Sequence, residues 1–239
     1  MNNLELSELS LKDGFIGLIQ KETINRLYNN IFFIVKNVKI YPLEVEVYYF
    51  KEGEYEDNSV HQNERQQNNI NHFYIHRFGK GKNDKYKGHA GIDFVWSKEN
   101  NLYYTWLLRS VIIKKNNQSD TFIGPMKVLQ AIKDWTCLSF EDLETETLSF
   151  EYELNNNEKY PVFTSERIGL TDSVDKKYRV ETLRFIIAKD YANCKYKQKS
   201  NPVINFYKKV YQVGAESKET CLSQCKLYLN YIPKKIKEM

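Results

Sequence analysis

Glu44 and Glu46 stand two residues apart in the run Leu43-Glu44-Val45-Glu46-Val47-Tyr48-Tyr49, whose strict alternation predicts a β-strand. A carboxylate held among aromatic rings can act as a general base and can stabilise positive charge that develops in a transition state. Leu43, Val45, Val47 and Tyr49 share one face of this strand and supply core, while Glu44, Glu46, Tyr48 and Phe50 share the other. Carboxylates paired with rings suit a pocket floor, although the same alternation also suits a solvated face. Arg109 is the second chemical candidate, set between Leu107-Leu108 and Val111-Ile112-Ile113. A guanidinium in so apolar a stretch needs a carboxylate or carbonyl to receive it, and Asp93 and Glu44 are candidate partners.

A third group of residues suits an anionic partner. Between His76 and His89 five cations, Arg77, Lys80, Lys82, Lys85 and Lys87, stand against one acid, Asp84. Tyr86 and three glycines are interleaved with them, a mixture that fits phosphate contacts and an inserted aromatic wedge; a solvated lysine-rich turn has the same composition. Leu138 to Glu158 holds seven acids and no base, so the charge is polarised although its sum is only +4. Lys127, near the helix start at Gly124-Pro125, is a further phosphate candidate. No metal is expected, because His72 and His76 on a strand would stand ~13 Å apart. No cofactor is expected either: Gly79-Lys80-Gly81 lacks a third glycine and the strand–helix context of a nucleotide loop. No lysine lies in an apolar run that would depress its pKa, so no lyase nucleophile is expected.

The elements that must position these residues follow from periodicity. The 239 residues suffice for one large domain, taken as 1–239, and 41% apolar content with 18 tyrosines marks a folded, β-rich chain. Residues 4–30 read as helical, with Leu4, Leu9, Leu11, Phe15, Leu18 and Ile19 as candidate core. Strands are expected at 31–35, across Glu46, at 73–75, 92–96, 103–113, 148–154, 162–168 and 183–187. Glu52 to Asn71 reads as a long exposed loop. A helix is expected from Pro125 to about Trp135, and a lysine-rich helix within 214–239. Strands in the middle with helices at the ends give an α+β architecture. Cys137, Cys194, Cys221 and Cys225 are too irregular for a disulfide framework or zinc ribbon. With no secretory signal and no apolar run of membrane-spanning length, a cytoplasmic protein is expected.

Taken in order, the Glu46 strand, Leu107-Leu108-Arg109, Gly124-Pro125-Met126-Lys127, Arg167-Ile168-Gly169-Leu170 and Leu183-Arg184-Phe185 resemble the motif series of the alkyladenine (methylpurine) DNA glycosylases, over roughly residues 40 to 190. The resemblance implies a single domain with a curved, mostly antiparallel mixed sheet flanked by helices. It implies a monomeric, monofunctional enzyme that flips a modified base out of DNA and hydrolyses its N-glycosidic bond. Glu46 would then activate the water with Arg109 beside it. Tyr48 and His61 would line the base pocket, with His72 and His76 as alternatives for the histidine, and Tyr86 would be the wedge. Asp93 stands where the family has a purine-discriminating asparagine, and an acceptor-only side chain there would select an amino donor differently. The alternative function is a non-catalytic nucleic-acid-binding module on the same fold.

Overall fold

The computed structural model describes residues 2–9, 11, 14–78, 85–97, 102–153 and 158–238. In chain order the elements are α1 (Asn3–Glu8), α2 (Gly14–Tyr28), β1 (Ile31–Val35), β2 (Val38–Lys51), β3 (Tyr55–Glu56), α3 (Glu64–Asn68), β4 (Phe73–Ile75), β5 (Ile92–Val95), β6 (Leu102–Lys115) and β7 (Gln118–Ile123). Then come α4 (Pro125–Thr136), α5 (Phe140–Thr145), β8 (Ser149–Tyr152), β9 (Val162–Ser165), α6 (Lys176–Arg179), β10 (Arg184–Ile187), α7 (Ser200–Gln212), α8 (Lys218–Leu229) and α9 (Lys234–Lys237). The class is α+β with an antiparallel sheet. The chain divides into two compact units, one of 31–151 with 166–184 and one of 1–30, 152–165 and 185–239.

The first unit is built on the sheet order β4-β5-β6-β2-β1-β8, with β3 added to β2 and β7 to β6. The pairs β1–β2, β2–β3, β2–β6, β4–β5, β5–β6 and β6–β7 are antiparallel. The central strands β2 and β6 run 14 residues each. Leu43, Val45, Val47 and Tyr49 enter the core, as their alternation predicts, but Glu44 and Glu46 are buried too. Phe33, Phe94, Trp96 and Trp106 form the aromatic centre, with the Phe33 and Phe94 rings stacked at 4.3 Å. Residues 52–71 are not the exposed loop expected. Asp57, Val60, Asn63 and Gln66 are buried, and α3 forms there because Asn63 caps the Arg65 N–H.

Register positions the chemistry. Glu46 and Asp93 both face Leu107 across β6, so the three occupy one row on one face of the sheet. Pairing slips between Pro42 and Glu44 and again between Glu44 and Val45. Leu43 is therefore unmatched on β2 and Arg109 on β6. Such bulges re-aim side chains out of strict alternation. Beyond β7, Gly124 takes a φ of 104°, donates its N–H to the Arg109 carbonyl at 2.7 Å and opens α4 at Pro125. A side chain would strain that turn.

In the second unit, α1 begins with a reciprocal capping box between Asn2 and Glu5. α2 buries Gly17, Ile19, Gln20, Thr23, Ile24 and Leu27, which fixes its phase and leaves Phe15 and Leu18 outward, Leu18 at 67% exposure. Both had been expected in the core. Phe163 of β9 packs edge-on against Tyr191, Phe206 and Tyr228. The C-terminal segment is two helices, α8 and α9, not one. Cys221 and Cys225 lie buried as free thiols one turn apart on α8. No helix among the described residues is long and apolar enough to cross a membrane.

Candidate active site

Glu44 and Glu46 project from the same face of β2 into different surroundings. Glu44 Oε1 accepts from Arg184 Nε at 2.7 Å and Arg109 Nε at 3.2 Å, and its Oε2 accepts from the Ser110 hydroxyl at 2.8 Å. This is a structural carboxylate, consumed by charge pairing. Glu46 Oε1 accepts the Ile168 backbone N–H at 2.7 Å. Its Oε2 lies 3.2 Å from Arg109 Nη1 and accepts the Tyr48 hydroxyl at 3.1 Å. Arg109 thus bridges both carboxylates, which its bulged position permits, and does not pair with Asp93. A carboxylate has about four lone-pair sites, so three donors leave Glu46 room for one more, such as a water. Burial raises the Glu46 pKa above the ordinary carboxylate value and the neighbouring Glu44 adds to this, while Arg109 and the Ile168 N–H pull the other way.

Beside Tyr48 lies a cavity of about 200 Å³, lined by Tyr48, Ser59, His61, Gln66, His76, Asp93, Gly169 and Leu170. It is smaller than the ~300–1,000 Å³ of drug-sized ligand sites and suits one flat ring system. The Tyr48 ring forms part of the wall and is fixed from behind by Arg167, whose guanidinium sits 4.7 Å from the ring centroid. Arg167 also pairs with Asp57 at 2.7 Å and donates to the Ser59 hydroxyl at 3.1 Å, the Val47 carbonyl at 3.3 Å and the Tyr178 carbonyl at 3.0 Å. After it, Gly169 takes a φ of 84°, which carries the chain past the cavity.

Two histidines meet in this wall, with ring centroids 4.5 Å apart. His76 Nε2 lies 2.7 Å from Asp93 Oδ1, and Thr105 donates to Asp93 Oδ2 at 2.9 Å. Burial favours the neutral acid at Asp93, but the charge and hydrogen bond of His76 outweigh it, with His61 and Thr105 adding to the effect, and hold the pKa below the usual value. His61 contacts the Tyr74 hydroxyl at 3.3 Å through Nδ1 and the Lys87 ammonium at 2.8 Å through Nε2. Burial, then His76 and Lys87, push the His61 pKa down to about 3, so this ring is neutral. Its Nε2 then accepts from Lys87, an assignment that follows from an ammonium being donor-only.

Of the residues singled out from sequence, Glu46, Arg109, Tyr48, His61 and Asp93 come together here. His76 joins His61 in the wall, whereas His72 lies apart with Nδ1 at 2.8 Å from the Ile70 carbonyl. Asp93 lines the cavity, with His76 at one of its oxygens and Thr105 donating to the other. The basic segment is divided. Arg77 is buried in an ion pair with Glu144 and does not reach a phosphate. Tyr86 bonds Arg77 at 2.9 Å and Glu144 at 3.1 Å and packs on Phe140, so it is anchored and is not a projecting wedge. Lys87 turns to His61. Lys85 and Lys127 are exposed; Lys80 and Lys82 lie outside the described residues. Ser59, Gln66 and Asp57 carried no sequence signal of their own. Arg167, Gly169 and Leu170 stood in a motif without an assigned task. Among the described residues no group of three or more His, Cys, Asp or Glu side chains is placed to hold a metal ion. Compared with known proteins, the chain matches no family model and no curated sequence.

Proposed function

We propose that this chain is a DNA glycosylase that receives a flipped, modified nucleobase in the Tyr48–His61–His76 cavity and hydrolyses its N-glycosidic bond. The observation that carries this reading is the Glu46 carboxylate, buried with a raised pKa, held by Arg109 and Ile168, and joined to the cavity wall through the Tyr48 hydroxyl. A water on the remaining lone pair of Glu46 would be deprotonated as it attacks C1′, and the carboxylate would offset the positive charge on the sugar. Tyr48 and the imidazoles offer faces to the extruded base, and the cavity size limits it to one ring system.

The full burial of Glu46 favours a second reading, a nucleic-acid-binding module without turnover. The test is incubation with oligonucleotides carrying deaminated, alkylated or otherwise modified bases, followed by assay of free base and alkali-labile sites. Base release that falls at least ~100-fold in Glu46→Gln, with binding retained, supports the enzyme. Binding without release on any substrate selects the module. Release that survives Glu46→Gln but is lost in His76→Gln moves the base to the His76–Asp93 pair.

A further inference from the structure

We infer that the cavity selects a base with two adjacent N–H donors, a ring N–H beside an exocyclic amino group as guanine presents, and that Asp93 reads them. This rests on the reading that the cavity receives a base extruded from DNA. The polar hydrogens of the lining side chains already point at partners within the protein. Ser59 donates its hydroxyl to Asp57 Oδ1 at 2.6 Å, and Tyr48 donates to Glu46 Oε2 at 3.1 Å. His76 faces an acceptor-only carboxylate, so its Nε2 carries a hydrogen directed at Asp93 Oδ1, 2.7 Å away. The Cε1–Nδ1 edge of the same ring faces Gly91. His61 accepts from Lys87 at Nε2, so its hydrogen is on Nδ1 and turns to the Tyr74 hydroxyl at 3.3 Å. The Gln66 amide nitrogen lies 3.5 Å from both Asp93 Oδ2 and the Thr105 hydroxyl, at the long limit of hydrogen bonding, and its Oε1 accepts the Gln62 N–H at 3.1 Å.

What these side chains still offer a ligand is lone pairs. Asp93 lines the cavity and is only 1% exposed. Each of its oxygens has about two lone-pair sites; His76 takes one on Oδ1 and Thr105 one on Oδ2, which leaves one acceptor site on each oxygen. His76 also keeps this carboxyl ionised against the effect of burial, so it accepts and does not donate. A ring N–H beside an amino group matches such a fork with two parallel, charge-assisted hydrogen bonds. Hypoxanthine has the same ring N–H but no amino group, so one buried acceptor goes unmatched, which weakens binding roughly 10-fold or more. Adenine sets its ring nitrogen, a second acceptor, against the carboxylate. The lesion that fits is therefore a guanine-type base modified away from its N1 and amino positions. Unmodified guanine in a duplex is disfavoured at an earlier step, because a well-paired base costs more to extrude.

The experiment measures binding and does not depend on base release. The full-length protein is titrated with deoxyguanosine, deoxyinosine and deoxyadenosine, and the imidazole NMR resonances of His61 and His76 report occupancy of the cavity. Deoxyguanosine should bind at least ~10-fold more tightly than deoxyinosine, which differs from it only by the amino group. Asp93→Asn keeps the size of the side chain but replaces one acceptor oxygen with a donor, and should reduce that preference to below ~3-fold. Thermal unfolding shows whether this variant folds, and the wild-type preference decides the matter even if it does not. Deoxyinosine or deoxyadenosine binding as tightly as deoxyguanosine, or no response of either imidazole to deoxyguanosine, overturns the inference. Base release from modified DNA together with equal nucleoside affinities leaves the glycosylase reading intact and removes this one. A deoxyguanosine preference with no base release from any modified DNA supports this inference and removes the enzyme.

Discussion

Replacing each glutamate of β2 by glutamine separates the carboxylate that holds the fold from the one assigned to chemistry. Glu44 binds Arg184, Arg109 and Ser110 at 2.7, 3.2 and 2.8 Å, all within the buried interior. Glu44→Gln withdraws the charge from two guanidinium contacts at once, and breaking a buried pair by removing one partner costs ~3–5 kcal/mol. Glu46→Gln preserves an acceptor for the Ile168 N–H and leaves Arg109 its contact with Glu44. The pKa of Glu46 is raised on folding, so the stability it contributes is full below its unfolded pKa and is lost as pH rises through the folded value. Glutamine keeps the shape of the side chain and never ionises, so a change within ~1 kcal/mol is expected for Glu46→Gln. Urea unfolding followed by tryptophan fluorescence at pH 7.5 should thus separate the variants by ~2–4 kcal/mol. As the pH is lowered through its folded pKa the wild type should gain relative to Glu46→Gln, because Glu46 takes up its proton. Equal losses in the two variants would make Glu46 a structural keystone and remove the basis for assigning it the water.

Three further outcomes are expected. His61 is neutral in the folded protein down to about pH 3 but titrates in the ordinary imidazole range when unfolded, so stability should fall with acidification by ~1.4 kcal/mol per pH unit between about 3 and 6.5; a His61→Gln variant with an unchanged slope would refute the assignment. Gly91→Ala places a methyl 2.7 Å from Leu107 Cδ1 and 3.2 Å from His76 Cε1. It should cost ~1–3 kcal/mol and displace the His76 ring from Asp93, which the imidazole NMR resonances would report. If Lys85 and Lys127 neutralise phosphates, changing both to Ser should flatten the slope of log affinity against log salt by up to ~1.8; an unchanged slope would return both to solvent.

What the sequence makes legible is set by how far away a residue's partner lies. Alternation in β2 is a property of adjacent residues, so the shared face of Glu44, Glu46 and Tyr48 can be read directly. The need of Arg109 for a carboxylate is also legible, from the apolar run around it. Its choice of Glu44 and Glu46 over Asp93 is not, because that choice depends on a bulge between paired strands whose positions are 65 residues apart. The same limit explains Arg77 and Tyr86. Amid lysines they read as surface, yet Glu144, 67 residues beyond Arg77, draws both into the interior. Residues 52–71 are polar enough to pass for an exposed loop, but Arg167 supplies from beyond the sheet the charge that makes Asp57 buriable. Lys87 is the sharpest case. Nothing near it in the chain is apolar enough to depress its pKa, yet partial burial in the fold lowers it. The pairing of 77 with 86 brings it back beside His76 and against His61, and burial there comes from residues that precede it by 11 and 26 positions. Local composition therefore reports the charge of a segment, while its chemistry is decided by which distant side chain meets it.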